Sequence, residues 1–165
     1  MDTCNQYIED HQLRVHPEGG FYHRLHASSF LFSMDENRKA SSSVHYMLLA
    51  NQHSAFHRID AEEVWYYADG VPMELFLIYP DGSLERKLVG KNTHNNEQLA
   101  VYVAPGVWMA AQPSVKTGFA AVICHVTPEF LFEGFQLASR KNLIDRYPLH
   151  KEIITMFTPQ ENTQA

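Results

Sequence analysis

The sequence predicts an all-β protein, an antiparallel sandwich or barrel of short strands, with short helices at the N- and C-termini. Three observations predict this fold class. Many short segments alternate between apolar and polar residues, as half-buried strands do. Turn signals, such as the Pro-Asp-Gly-Ser of residues 80–83, separate these segments. Helical periodicity is confined to the two ends of the chain.

The N-terminal residues 3–13 have the pattern of a short amphipathic helix. Thr3 is a candidate N-cap, and Gln6 three residues later completes a capping-box pattern. The residues on the apolar stripe of this helix are Cys4, Tyr7, Ile8 and His11. We expect the helix to cover one end of a sheet.

Two consecutive glycines, Gly19 and Gly20, predict a tight turn into a strand that begins near Phe21. Residues 27–42 are polar and irregular, and they predict an exposed, mobile loop of a kind that can reach across a subunit boundary. Further strands are predicted at residues 43–50, 54–70, 73–79, 84–89, 98–103 and 119–126. Residues 54–70 are expected to form a hairpin of two short strands around an acidic turn.

The C-terminal part of the chain changes to a helical period. Ser139 is the expected N-cap of a helix that runs through Arg146, with Leu143 and Tyr147 facing inward. Pro148 suits the first turn of a second short helix. The apolar residues of that second helix are Leu149, Ile153 and Ile154.

The length of 165 residues predicts one domain over residues 1–165, large enough for a core without disulfides. The net charge of −6 argues against nucleic acid as a partner, because binding to phosphates needs a basic face. No apolar run approaches a membrane span, and the N-terminus does not read as a signal peptide. We therefore expect a cytoplasmic protein with no membrane partner, whose Cys4 and Cys124 are reduced.

The most informative stretch is residues 54–70. By the period-two rule, one face of its strands carries His57, Ile59, Glu63, Trp65 and Tyr67. A histidine, a carboxylate and two large aromatic side chains on one wall describe the lining of a pocket. A hydrogen-bonded pair of His57 and Glu63 would fix the imidazole tautomer and raise its pKa, which suits a general base or acid.

The same stretch resembles the first signature of the cupin superfamily, with His57, Glu63 and Gly70 at its first His, its Glu and its closing Gly. Ile59 stands at the second His of that signature. Residues 104–111 resemble the second cupin signature, with Met109 in place of its His.

The run His-Pro-Glu-Gly-Gly-Phe at residues 16–21 is similar to the opening of small single-domain cupins of unassigned function. Together these resemblances cover about residues 10–155, and they imply a jelly-roll barrel, or double-stranded β-helix, for this chain. Such barrels often pair through their edge strands, so we expect a homodimer.

The resemblance also implies where a metal would bind. A cupin metal centre uses three His and one Glu, and two of these positions here hold Ile59 and Met109. Isoleucine has no donor atom, and a thioether suits copper(I) better than iron, manganese or zinc. We therefore expect no cofactor. His57 and Glu63 form an incomplete ligand set for a divalent metal.

Three functions remain open from the sequence. The first is a small-molecule-binding cupin with a metal-free pocket. Its expected ligand-binding residues are His45, Arg58, Trp65, Tyr102, Trp108 and Met109. The aromatic members of this set would stack on a flat ligand.

The second function is a metal-independent epimerase or isomerase acting on a sugar nucleotide or a similar substrate. Rhamnose-pathway epimerases share the cupin fold and use a His base and a Tyr acid. In this chain the catalytic residues would be His57 and Glu63, with Tyr22 or Tyr67 as the acid. Tyr102 is a further candidate for the acid.

A diphosphate substrate would need cations at the pocket mouth, for which Arg24, Arg58 and Lys116 are available. The third function is a metal-dependent oxygenase, which requires that Ile59 and Met109 be tolerated at ligand positions.

Overall fold

The computed structural model describes residues 3–16 and 19–159, apart from the side chains of residues 35 and 36. Within these ranges the helices are α1 (Thr3–Asp10), α2 (Arg140–Arg146) and α3 (Lys151–Met156). The strands are β1 (Arg14–Val15), β2 (Phe21–Ala27), β3 (Leu31–Phe32), β4 (Asp35–Lys39), β5 (Ser42–Leu49), β6 (Ser54–Arg58), β7 (Glu62–Gly70), β8 (Met73–Ile78), β9 (Leu84–Val89), β10 (Glu97–Gln98), β11 (Ala100–Val103), β12 (Trp108–Pro113), β13 (Phe119–Thr127) and β14 (Gln136–Leu137). Short 3₁₀ turns lie at Thr93–Asn95, Phe132–Gly134 and Pro148–His150.

Two six-stranded sheets form the body of the molecule. The first sheet has the order β1-β2-β5-β13-β7-β11, and the second has the order β10-β9-β8-β12-β6-β14. Neighbouring strands are antiparallel except β10, which runs parallel to β9. This all-β jelly roll with short terminal helices confirms the fold class that the sequence predicts.

The core lies in three layers. The largest cluster fills the space between the sheets and includes Leu48, Trp65 and Leu75. A second cluster lies behind the second sheet, where α2 and α3 cover it, and a third lies between α1 and the first sheet. Strand β8 is buried along its whole length because its alternate residues belong to the first and second clusters.

Two predictions about the strands are wrong. Residues 27–42 are not an irregular loop, because β3 and β4 pair within them as a separate two-stranded sheet. Residues 54–70 do not form a hairpin, because β6 belongs to the second sheet and β7 to the first. The acidic turn between β6 and β7 carries the chain across the core, so both strands still contribute to one interior.

The predicted helices are placed correctly, with differences in detail. α1 ends at Asp10, and the side chain of Ser139 caps α2 by accepting a hydrogen bond from the Asn142 N–H at 3.4 Å. Leu143, Tyr147 and Ile154 are buried as expected. Leu149 was expected to be a packing residue, but it is 93% exposed because Pro148 begins a 3₁₀ turn that directs Leu149 outward.

The predicted glycine turn before β2 is confirmed. Gly20 has a φ of +76°, and a Cβ there would lie 2.5 Å from the carbonyl oxygen of Met47. Two residues of the opening signature, Pro17 and Glu18, lie outside the described residues. Among the helices in the described ranges, none has the length and apolar character that crossing a membrane requires.

Candidate functional site

A cavity of about 390 Å³ lies between the two sheets. The first sheet supplies most of its wall, strand β6 of the second sheet supplies another part, and the segment after β13 borders it. The lining side chains are those of His16, Tyr22, Arg24, Ser42, Val44, Tyr46, Ser54, His57, Ile59, Glu63, Trp65, Cys124, Val126, Phe130, Phe132 and Phe135. Its volume is within the usual range for small-molecule sites.

The register of the first sheet arranges part of this wall as a row across four strands. Arg24 on β2 is opposite Val44 on β5, Val44 is opposite Cys124 on β13, and Cys124 is opposite Trp65 on β7. Adjacent strands lie about 4.8 Å apart, so the backbone positions of Arg24 and Trp65 are separated by about 14 Å. Glu63 is two residues before Trp65 and therefore faces the same side.

His57 is 7% exposed and is positioned by its own strand. Its Nδ1 is 2.8 Å from the carbonyl oxygen of Ala55, and a carbonyl only accepts, so Nδ1 carries the proton. Burial lowers the pKa of His57 to about 4, although the Ala55 carbonyl opposes the change. The expected rise in this pKa is therefore wrong. The imidazole is neutral at pH 7, with its lone pair on Nε2.

Glu63 is the only carboxylate among the cavity-lining residues that the structure describes. Burial raises its pKa to about 7, while the side chains of Trp65 and Cys124 oppose that rise. Burial of the thiol, and to a smaller extent the Glu63 carboxylate, raise the pKa of Cys124, so this thiol is a poor nucleophile. The Trp65 indole N–H is buried and finds no acceptor at hydrogen-bonding geometry in residues 3–16 and 19–159.

Four charged side chains are connected at one edge of the cavity. Arg24 Nη1 donates to Glu129 Oε1 at 3.2 Å, and the Arg24 side chain is 48% exposed although it also lines the cavity. Arg38 Nε donates to the Glu129 carbonyl at 2.7 Å, and its two Nη atoms bind both oxygens of Asp60. Arg38 thereby attaches β4 to the chain segment that borders the cavity.

Three phenylalanines on that segment complete the lining. Phe130, Phe132 and Phe135 contact one another at ring-centroid distances of 5.1 to 6.5 Å. Phe135 also lies 5.4 Å from the ring of His57, while Phe132 is 64% exposed. Sequence reasoning missed these residues because they lie between strands. The density of aromatic residues in positions 130–135 was the available signal.

Four of the predicted site residues line the cavity together: Tyr22, His57, Glu63 and Trp65. Met109 is buried beside them, opposite His57 in the pairing of β12 with β6, but it is not among the lining residues.

The other predicted site residues lie outside the lining. His45 is on the opposite face of the first sheet, where its Nε2 is 3.0 Å from the Tyr7 hydroxyl. Arg58 lies 4.7 Å from the Trp108 ring, and Trp108 packs in the cluster behind the second sheet. The Tyr67 hydroxyl donates to the Gly70 carbonyl at 2.9 Å. Tyr102 is 54% exposed and donates to Glu62.

The three cations proposed for a diphosphate are not brought together. Arg24 lines the cavity, Arg58 covers Trp108, and Lys116 is in the exposed turn between β12 and β13. A sugar-nucleotide site would need these three side chains to converge on the diphosphate, and they do not.

The donor set does not fit a cupin metal. Ile59 lines the cavity with no donor atom, and Met109 offers only a thioether beside His57. In the described part of the chain, His, Cys, Asp and Glu side chains form no group of three or more arranged to hold a metal ion.

The family model described as "Cupin superfamily (DUF985)" matches residues 5–138. The chain belongs to the cupin superfamily. No curated protein matches this cupin.

Two solved structures resemble this cupin over nearly its whole length. Protein SO0799 from Shewanella oneidensis is 31% identical, with 98% of this chain and 100% of that chain covered and a TM-score of 0.91. A hypothetical protein from Leishmania major is 25% identical, with 96% and 100% covered and a TM-score of 0.89.

Oxalate decarboxylase from Bacillus subtilis is similar at a TM-score of 0.58 and 16% identity, over 93% of this chain and 38% of that chain. This likeness concerns the fold alone.

Proposed function

We propose that this cupin binds a small, largely apolar molecule in the cavity between its sheets, without a metal. The observation that carries the proposal is the lining of the cavity. Aromatic and aliphatic side chains make up most of it, and a few polar groups such as His57 and Glu63 are buried among them. Mainly apolar walls with a few fixed polar groups are typical of small-molecule sites.

The buried polar groups of the cavity are largely uncharged near pH 7. His57 is neutral at pH 7, and Glu63, with a pKa of about 7, is protonated in a large fraction of molecules. Such groups offer hydrogen bonds to a ligand without requiring it to carry a compensating charge. The body of the ligand is therefore expected to be apolar or uncharged.

The test is binding of prodan, a neutral fluorophore that responds to polarity, to the wild type and a cavity-filling variant. Val44→Phe places a larger side chain in the cavity, and we expect prodan binding to fall at least tenfold with no loss of thermal stability. Leu99→Phe, at a position that is 63% exposed, is the matched control and should bind as the wild type does. Equal binding by wild type and Val44→Phe would contradict the proposal.

A proton-transferring isomerase is the second candidate, on the observation that Tyr22 and His57 line the same cavity. The Ala55 carbonyl fixes the proton on Nδ1 and leaves Nε2 as the basic atom, as a general base requires. The scattered cations favour an uncharged substrate over a sugar nucleotide.

The isomerase is tested by following the uptake of solvent deuterium into candidate hydroxy-carbonyl compounds. We expect exchange that is lost in His57→Asn and retained in His45→Asn. Exchange that survives in His57→Asn would remove this candidate.

The homodimer stays a prediction. Exposed apolar side chains on two edge strands support it, namely Val15 on β1 and Leu137 on β14. Sedimentation equilibrium is the measurement, and a monomer at micromolar concentration would contradict it.

A further inference from the structure

We infer that the natural ligand is an amphipathic organic acid, whose carboxylate binds Arg24 at the cavity mouth while its apolar body enters among the aromatic side chains. This inference rests on the proposed function and names the class of ligand for the same cavity.

Arg24 is the only cationic side chain among the described residues that line the cavity. Its side chain is 48% exposed, so the guanidinium reaches solvent at the mouth. The opposite end of the four-strand row is different, because Trp65 and the neighbouring Glu63 are 3% and 7% exposed. One end of the cavity therefore carries a solvent-exposed guanidinium, and the other end is buried.

The guanidinium is held in place but retains donors for a ligand. Nη1 donates to Glu129, whose side chain is 8% exposed and also accepts a hydrogen bond from the Lys39 N–H. The other N–H groups of Arg24 have no partner among the described residues. A guanidinium presents its donors as a planar fork that matches a carboxylate. Glu129 thus orients this fork without occupying all of it.

The aromatic residues near the mouth suit the rest of the ligand. Phe132 is largely exposed, and Phe130 and Phe135 continue from it toward His57. An apolar chain or ring in contact with these side chains would be removed from water, and burial of apolar area is the main source of its affinity.

The titration of Glu63 at the buried end agrees with a ligand whose carboxylate binds at Arg24. The other titratable or charged groups that line the cavity with Glu63 are His57, His16, Cys124, Tyr22, Tyr46 and, at the far end of the row, Arg24. Because the pKa of Glu63 is about 7, a second anion is tolerated better below that pH than above it. The affinity for an acid should therefore fall as the pH rises through about 7.

The test compares hydrocinnamate with its uncharged isostere hydrocinnamamide in displacing prodan at pH 6.5. We expect the acid to compete at a concentration at least tenfold lower than the amide. This preference should shrink to within threefold in Arg24→Gln, and should be partly kept in Arg24→Lys. Arg58→Gln is the matched control, since Arg58 lies over Trp108 outside the cavity, and it should keep the full preference.

The possible failures are distinguishable. If acid and amide compete equally in the wild type, the acid inference is wrong while binding of apolar molecules in the cavity stands. A preference that survives in Arg24→Gln overturns the assignment to Arg24. If prodan does not bind and neither compound changes the melting temperature of the wild type, the proposed function fails together with this inference. An affinity for the acid that declines above pH 7 in the wild type, but not in Glu63→Gln, supports it further.

Discussion

One histidine is buried against each face of the first sheet. A comparison of the two shows that burial of a histidine does not by itself make a binding site. His57 faces the inner side of this sheet from β6, and His45 lies on its outer face beneath α1. Burial lowers the pKa of both to about 4.

 The side chains around them differ. Tyr7 and α1 close the space against His45, whereas His57 borders an open cavity of about 390 Å³. A lowered histidine pKa therefore shows only that the group is buried. The open cavity beside His57 is what indicates a binding site.

The largest expected effect comes from truncating a side chain on each face of β5. Met47 is fully buried under α1, so Met47→Ala should lower the free energy of unfolding by about 2–5 kcal/mol. Val44 already borders a void, so Val44→Ala should cost about 1 kcal/mol. Urea unfolding of the two variants measures the difference. Equal losses would mean that the inner face is as tightly packed as the outer one.

Acid should lower the free energy of unfolding through the buried histidine on each face. A histidine with a pKa of about 4 when folded and an ordinary pKa of 6.5 when unfolded stabilises the fold above pH 6.5, and this contribution is lost as the pH falls toward 4. The loss is up to about 3 kcal/mol for each histidine. His45→Gln and His57→Gln should each lose less stability than the wild type between pH 6.5 and 4.5 in urea unfolding. A fall as steep as that of the wild type in either variant would show that this histidine does not titrate in the expected way.

Glu63 should make the stability depend on pH in the opposite direction. It lies on the inner face of the first sheet and has no counterpart in the comparison on the outer face. Its pKa of about 7 when folded lies above the ordinary value of 4.5, so its contribution to stability is present below pH 4.5 and is lost as the pH rises to 7. Glu63→Gln should therefore raise the free energy of unfolding at pH 8 by about 1–3 kcal/mol relative to the wild type, and change it little at pH 4.5. Glu62→Gln, at an exposed neighbouring position, is the control and should show no such pH dependence.

The smallest effects distinguish two tyrosines. Tyr7→Phe removes the hydroxyl that contacts His45, and we expect a loss of about 1 kcal/mol in stability without a change in prodan affinity. Tyr22→Phe should leave stability within about 0.5 kcal/mol, because the described residues offer its hydroxyl no hydrogen bond. Thermal unfolding and prodan titration of both variants are the measurements. A loss of prodan binding in Tyr7→Phe would contradict the separation of the two faces.

Much of the fold was predictable because alternation and turn residues are local properties of the sequence. The period of two predicts one wall with His57, Ile59, Glu63, Trp65 and Tyr67, and all of these except Tyr67 line the cavity. The rule held although β6 and β7 belong to different sheets, since both strands present the same face to the space between them.

The same period of two could not tell which face of a strand is inward. His45 lies between Val44 and Tyr46, which both line the cavity, and alternation therefore directs His45 to the outer face. To decide whether His45 faces the ligand, one must know how β5 pairs with β2 and β13. That pairing joins segments far apart in the chain, so no local pattern contains it.

The sequence by itself determined the all-β class, most of the longer strands and four residues of the inner wall, because propensity, period and turn chemistry act over a few neighbouring residues. Tertiary structure decided the electrostatics and the border of the cavity. The pKa of His57 depends on how deeply other strands bury it, and burial outweighs the hydrogen bond to the Ala55 carbonyl. The position of the aromatic segment depends on Arg38, which joins β4 to Glu129 across the fold. Both are long-range effects, which arise only when distant parts of the chain pack together.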